Sequence, residues 1–342
     1  MTWPAWFLLL GIAAAPLLPL AYVSGRLLAH ARSLWLLGVL TGGIVWVAPH
    51  ALWLALIGLW FLIRWPREPD PTKFLPAVLR WLGVAGAWGL LLAIPKELLA
   101  YAPWGWLLVA WGQSLAVLSR RLRWGGRQKG EMGSPVLTAL YLALVSPFCP
   151  WWGWPILGVG LGLIFSFHAL VAAGLGLVWL YPRTWPLGAL AALAGAILWG
   201  WSPVVGGRRI LEWTPRGDTF DSIVSRWRGW QLMWHYGRDK WLLGRGPGSM
   251  EPTLLKWGSR YDLELTWGEG FNELLHFYYE YGLLGVAAVV AFCWPILQRL
   301  TVGDPWSAAW GVGIVLAMGH WPARHVSMAV PWLAISAYLV RS

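Results

Sequence analysis

The chain has 342 residues, 58% of them hydrophobic and only 12% charged, with a formal net charge of +11. A soluble domain carries about 25% charged residues, so the composition excludes an ordinary water-soluble fold. It also directs the basic excess towards the anionic inner leaflet of a membrane and not towards nucleic acid.

Apolar runs near the roughly 17–25 residues needed to cross a bilayer follow one another from the N-terminus. They lack the short alternating pattern of a transmembrane barrel. The predicted fold is therefore an all-α membrane protein, a polytopic helical bundle of about 10–12 transmembrane helices. The first run contains Pro16 and Pro19, has no basic leader and precedes further runs, so it reads as a membrane helix and not a cleaved signal. Leu34–Ile63 reads as two short helices broken near Pro49.

Two short basic connections come next, one with Arg64, Arg67 and Lys73, the other with Arg120, Arg121, Arg123, Arg127 and Lys129. The positive-inside tendency assigns both to the cytoplasm. Spans at about 74–94 and 98–118 lie between them, joined outside at Pro95-Lys96-Glu97. Spans at about 135–148, 153–180 and 186–201 follow, which returns Arg183 to the inner face and leaves Trp201 outside. Residues 202–271 then form one large extracytoplasmic loop. Spans at about 273–298, 306–320 and 327–340 close the chain, with Arg299 and Arg341 inside and the 321–326 turn outside. The expected parts are N-terminal membrane helices at 1–201, the loop at 202–271 and C-terminal membrane helices at 272–342.

Many of the 32 tryptophans, such as Trp104, Trp151 and Trp152, sit near span ends, where an indole is favoured at headgroup depth. Cys149 and Cys293 give neither a disulfide nor a metal spacing. No G-x-x-x-x-G-K-[ST], H-E-x-x-H or G-x-S-x-G motif is present, and no metal or cofactor is expected.

The loop carries the informative residues. Arg226, Trp230 and Asp239 precede Leu242-Leu243-Gly244-Arg245-Gly246-Pro247-Gly248, and Asn272 precedes Gly282-Leu283-Leu284-Gly285. These elements resemble the R-x3-W, PLLGxGPG and HN-x9-GLLG motifs of the O-antigen ligase/polymerase superfamily, over roughly residues 222–290. The resemblance implies a helical GT-C-like membrane glycosyltransferase in the bacterial inner membrane, with its site on the extracytoplasmic side. Its donor would be a polyprenyl-diphosphate-linked saccharide, and its acceptor a lipid A core, a glycan or a protein. The motif spacing favours a ligase, with an O-antigen polymerase as the alternative. The other readings are a lipid or sugar transporter, disfavoured by the lack of inverted repeats, and an inactive carrier-binding relative. In one respect the chain departs from the family, because Phe271 stands where the family has histidine.

Chemistry selects the candidate residues. A departing diphosphate needs fixed positive charge, and a guanidinium supplies two parallel donors at any working pH. Arg226 is the first candidate; Arg228, Arg245 and Arg324 are further diphosphate contacts. Arg228 cannot share a helical face with Arg226. The Gly244, Gly246 and Gly248 turn is either a phosphate cradle of backbone N–H groups or a tight turn ending a helix. Asn272, His276 and Glu280 share one helical face, with Tyr279 alongside, and are expected to line a cavity beneath the loop. For the acceptor base the candidates are His276, His320 and His325, then Glu251, Glu264, Glu269 and Asp262. His168 reads as a core histidine in the middle of a span.

Overall fold

The computed structural model describes residues 57, 60, 63, 71–124, 135–164, 166–182, 218–250, 252–253, 256–257, 272–319 and 326–341, which form helices and turns with no strand among them. The fold is all-α over these residues. In chain order the helices are α1 (Pro71–Ala93), α2 (Lys96–Leu99), α3 (Ala102–Trp124), α4 (Pro135–Val145) and α5 (Trp154–Ile164). Then come α6 (Phe167–Leu180), α7 (Asp218–Gly237), α8 (Glu273–Leu297), α9 (Pro305–Gly319) and α10 (Val326–Val340).

Proline punctuates this series. Pro71, Pro135 and Pro305 each open a helix, where the missing N–H has no intrahelical partner to lose. Pro95 follows α1, and the chain turns by 105° between Gly83–Ala93 and Lys96–Arg120.

The centre is α4, where Ala139 to Val145 are at most 1% exposed. Its Tyr141 hydroxyl donates to the Trp106 carbonyl at 2.9 Å. Helices α3, α5, α6, α9 and α10 surround it. Without side chains at key points, backbones approach closely: a Cβ on Gly160 would lie 2.2 Å from Ser114 Oγ, and one on Gly153 2.6 Å from the Trp111 ring.

The expected single span at 153–180 is two helices. The chain is extended at Ser166 (φ −125°, ψ 112°), and α6 returns to the end of the bundle where α5 began, packing on α4 and α9. Gly176 therefore packs against Pro147 and Val312. The Gly303 amide donates to the Trp179 carbonyl at 3.1 Å, and Trp179 Nε1 donates to the Thr301 carbonyl at 2.8 Å. A cavity of about 360 Å³ lined by Trp104, Phe148, Tyr181, Gly303 and Trp306 lies among these turns. Arg341 donates to the Ile94 carbonyl, and Lys96 sits over the Tyr338 ring. The Pro95, Phe148, Tyr181, Gly303 and Arg341 turns thus share one end of the bundle, hereafter the Pro95 end.

This arrangement overturns the expected sidedness. Arg183 was expected opposite Cys149, but the α5–α6 reversal returns the chain to the Cys149 end. Every later element changes place relative to the earlier ones. Asn272 Nδ2 donates to the Met318 carbonyl at 3.2 Å, so the start of α8 and the finish of α9 define the opposite, Asn272 end. Helix α3, which starts at the Pro95 end, finishes with Trp124 at the Asn272 end and not opposite it.

Helix lengths also depart from expectation. Among the described residues, α8 is the one helix long and apolar enough to cross a membrane, with Gly83–Ala93 plus Lys96–Arg120 qualifying as a bent pair. Helices α4, α5, α6, α9 and α10 are apolar but have 11, 11, 14, 15 and 15 residues. The longest of these extend about 22 Å against a hydrocarbon core of about 30 Å. Pro147, Pro150 and the Ser166 break shorten what the apolar runs suggested.

Candidate functional site: a turn locked into a broken helix

Helix α7 carries Arg226, Arg228 and Trp230 and ends where Gly237 meets α8. A Cβ there would lie 2.7 Å from the Tyr278 ring, against which Trp234 stacks at 5.1 Å. Met233, Met250, Trp257 and Tyr279 form a small buried cluster under the end of α7. Trp227 and Arg228 are exposed while Arg226 is half-buried. Burial pushes the Arg226 guanidinium below its ordinary range, through loss of the water that favours the charged form. An arginine still remains protonated at neutral pH.

The glycine turn and the start of α8 form one unit. Inside α8, Gly282 has φ 66° and ψ −159°, a conformation essentially restricted to glycine. A break there separates the carbonyls of Tyr279 and Glu280 from the amides of Leu283 and Leu284, their normal i+4 partners. The turn supplies replacements. Arg245 N donates to Tyr279 O at 2.8 Å and Gly246 N to Glu280 O at 3.0 Å; Leu283 N donates to Trp241 O at 2.7 Å and Leu284 N to Leu242 O at 3.4 Å. Close approach demands glycine on both sides. A Cβ on Gly244 (φ 67°) would lie 2.3 Å from Glu280 O, and one on Gly282 2.4 Å from Leu242 O. Trp60 Nε1 holds the turn from a third direction, donating to Leu243 O at 2.8 Å.

Of the two readings of the glycine turn, this geometry matches the tight turn. The Gly244 amide donates to Lys240 O at 2.7 Å, so the amides of Gly244, Arg245 and Gly246 all serve protein carbonyls and do not form a phosphate cradle. Gly248 is exposed at the rim. Arg245, expected as a diphosphate contact, binds the end of α7 instead. Its Nε and Nη2 donate to the Tyr236 carbonyl at 3.0 and 2.7 Å. Nη2 also meets the Asp239 carboxylate at 2.9 and 2.8 Å, and the guanidinium lies 5.6 Å from the Tyr279 ring centre. A cation at these carbonyls complements the negative end of the helix.

Along the stripe of Asn272, His276 and Glu280, Glu280 meets the glycine-turn segment at Met250. Asn272 caps α8, its Oδ1 accepting from Leu275 N at 3.0 Å. His276 Nε2 and Glu280 Oε1 are 3.1 Å apart, and Met250 N donates to the same carboxylate oxygen at 3.3 Å. His276 and Glu280 are 4% and 3% exposed. Where a cavity was expected, the described residues pack closely, and His276 has no open approach for an acceptor among them. His320, Arg324, His325, Phe271, Glu251, Glu264, Glu269 and Asp262 lie outside the described residues. No group of three or more His, Cys, Asp or Glu suited to a metal ion occurs among those described.

One residue dismissed from the sequence stands in a different place. His168 is in the first turn of α6, beside the Ser166 break, and its Nε2 lies 2.8 Å from the Val315 carbonyl. The two polar residues Ser166 and His168 within an apolar run were the signal that the chain breaks there.

No protein-family model matches the chain, and no characterised protein matches it either.

Proposed function

We propose that the protein is a polytopic inner-membrane glycosyltransferase of O-antigen ligase type, which transfers a glycan from a polyprenyl-diphosphate carrier to an acceptor hydroxyl without a metal ion. One observation carries the reading. The two stretches that resemble the family, far apart in sequence, are locked together through the Gly244 and Gly282 backbones, and the helix this lock terminates presents a half-buried Arg226. A guanidinium withdrawn from water favours a multiply charged anion as partner. In this mechanism Arg226 stabilises the departing diphosphate while the acceptor hydroxyl attacks the anomeric carbon from the opposite face, with inversion. Arg228 and Arg324 remain proposed further contacts with the donor.

Membrane insertion is supported by exposed Leu108, Leu115, Val159, Leu175, Val290 and Leu297 on α3, α5, α6 and α8, and by exposed Tyr101, Trp104, Trp151, Trp152 and Tyr181 at the Pro95 end. Aliphatic flanks with an aromatic girdle suit a hydrocarbon core and its interface. Counting α5 and α6 separately raises the proposed crossings from about eleven to about twelve.

The mechanism requires the Asn272 end to face outward, where carrier-linked saccharides await transfer. The basic connection at 120–129 then lies outside too, against the positive-inside tendency, and its cations would attract phosphate-bearing lipids. Replacing Arg226 with Ala is expected to abolish transfer while the protein remains folded in the membrane; full activity would remove the donor site. A cysteine at position 125 should label from outside intact cells. Labelling only after the inner face is opened would end the proposal.

A further inference from the structure

Transfer to a hydroxyl needs a proton acceptor, and the family's histidine is Phe271 here. Among described histidines, His235 is exposed on α7, and His276 is sealed against Glu280. His168 is half-buried at the Asn272 end. Two hydrogen bonds to α9 fix its neighbourhood. Val315 O holds His168 and Met318 O holds Asn272. Residues three apart on a helix share a face and are separated by about 4.5 Å along the axis. The imidazole is therefore one helical turn from the residue that follows Phe271. A carbonyl only accepts, so Nε2 carries the proton in the neutral ring and Nδ1 is the basic nitrogen.

We propose that His168 is the general base of the transfer reaction, taking the acceptor proton on Nδ1 beside the Asn272 cap. The inference rests on the glycosyltransferase reading above. In the step, the acceptor oxygen bonds to the anomeric carbon and its proton moves to His168 Nδ1. The bond from that carbon to the diphosphate oxygen breaks, its electron pair leaves on that oxygen, and Arg226 meets the new charge. The imidazolium then returns its proton to water.

His168→Gln tests this, because the Gln amide still donates to Val315 O but takes up no proton. Full-length protein in nanodiscs is assayed for transfer and for binding of undecaprenyl diphosphate, beside Arg226→Ala. His168→Gln should lower the transfer rate by about 100- to 10,000-fold, leave carrier binding unchanged and remove the acidic limb of the pH–rate profile. Arg226→Ala should lose carrier binding. Retained transfer with an unchanged pH profile in His168→Gln, while Arg226→Ala is inactive, overturns the role of His168 alone. Wild-type protein that neither binds the carrier nor depends on Arg226 overturns the donor reading beneath it. If His168→Gln does not fold, carbethoxylation of the wild type decides the matter. His168 should react with diethylpyrocarbonate, with loss of transfer and protection by undecaprenyl diphosphate, whereas an unreactive His168 refutes the assignment.

Discussion

Replacing Gly282 with Ala should undock the glycine turn from α8 while leaving α8 helical. The native residue combines φ 66° with ψ −159°, and holding an alanine there costs about 1–3 kcal/mol. Its Cβ would also meet the Leu242 carbonyl oxygen at 2.4 Å, backbone that a side-chain rotation cannot move aside. Helix α8 has an escape: a straightened backbone restores bonds from Leu283 to Tyr279 and from Leu284 to Glu280 within the helix. The turn has none, and undocking removes the four backbone bonds of the lock. Two bonds are regained within α8, so at about 0.5–1.5 kcal/mol net for each of the two not replaced, the docked arrangement weakens by about 1–3 kcal/mol. Even the lower figure favours local opening about 5-fold. Hydrogen exchange in nanodiscs should therefore show faster exchange at Arg245 and Gly246, with protection kept at Leu283 and Leu284, and new protease cleavage should appear within 241–250. Gly303→Ala is the control for backbone strain alone, since its φ is 86° and nothing lies within 4 Å of its added Cβ; it should cost about 1–2 kcal/mol with no effect on the turn. Unchanged exchange at Arg245 and Gly246 in Gly282→Ala would refute the interlock.

Gly244→Ala should reproduce the Gly282→Ala exchange pattern, and the double variant should be little worse than either alone, because both break the same contact; additive losses in a thermal-shift series would separate the two glycines. Arg245→Ala should lower stability by about 1–3 kcal/mol through the bonds to Tyr236 and Asp239 while transfer persists; abolished transfer in a protein of wild-type stability would return Arg245 to the donor site. Gly160→Leu should separate α3 from α5, because its backbone lies against Ser114. A loss of about 1–3 kcal/mol or more in unfolding free energy is expected, and an unchanged melting curve would contradict the packing.

Helical character, the aromatic ends and the polarity of 218–257 were legible because each follows from local composition and spacing. The opposite faces of Arg226 and Arg228 were legible from helical periodicity. The lock was not. Gly244 and Gly282 each look like an ordinary flexible residue until the other is opposite, and nothing local in either stretch encodes the partner. The 153–180 run failed for a related reason. Apolar residues satisfy one long helix and two short helices packed on other neighbours equally well, and only the Ser166 and His168 polarity marked the reversal. Arg245 misled because a guanidinium beside glycines suits a phosphate as readily as the carbonyl end of a helix, and the choice depends on where Tyr236 and Asp239 fall in space.

The α5–α6 reversal has a consequence for how the chain is threaded through the bundle. The pair is neutral in parity: the path leaves the Cys149 end through α5 and is back there at Tyr181. Fusing the two into one straight helix would exchange the ends at which α8, α9 and α10 start and finish. The relative placement of the two halves of the chain therefore hinges on a single bend at Ser166.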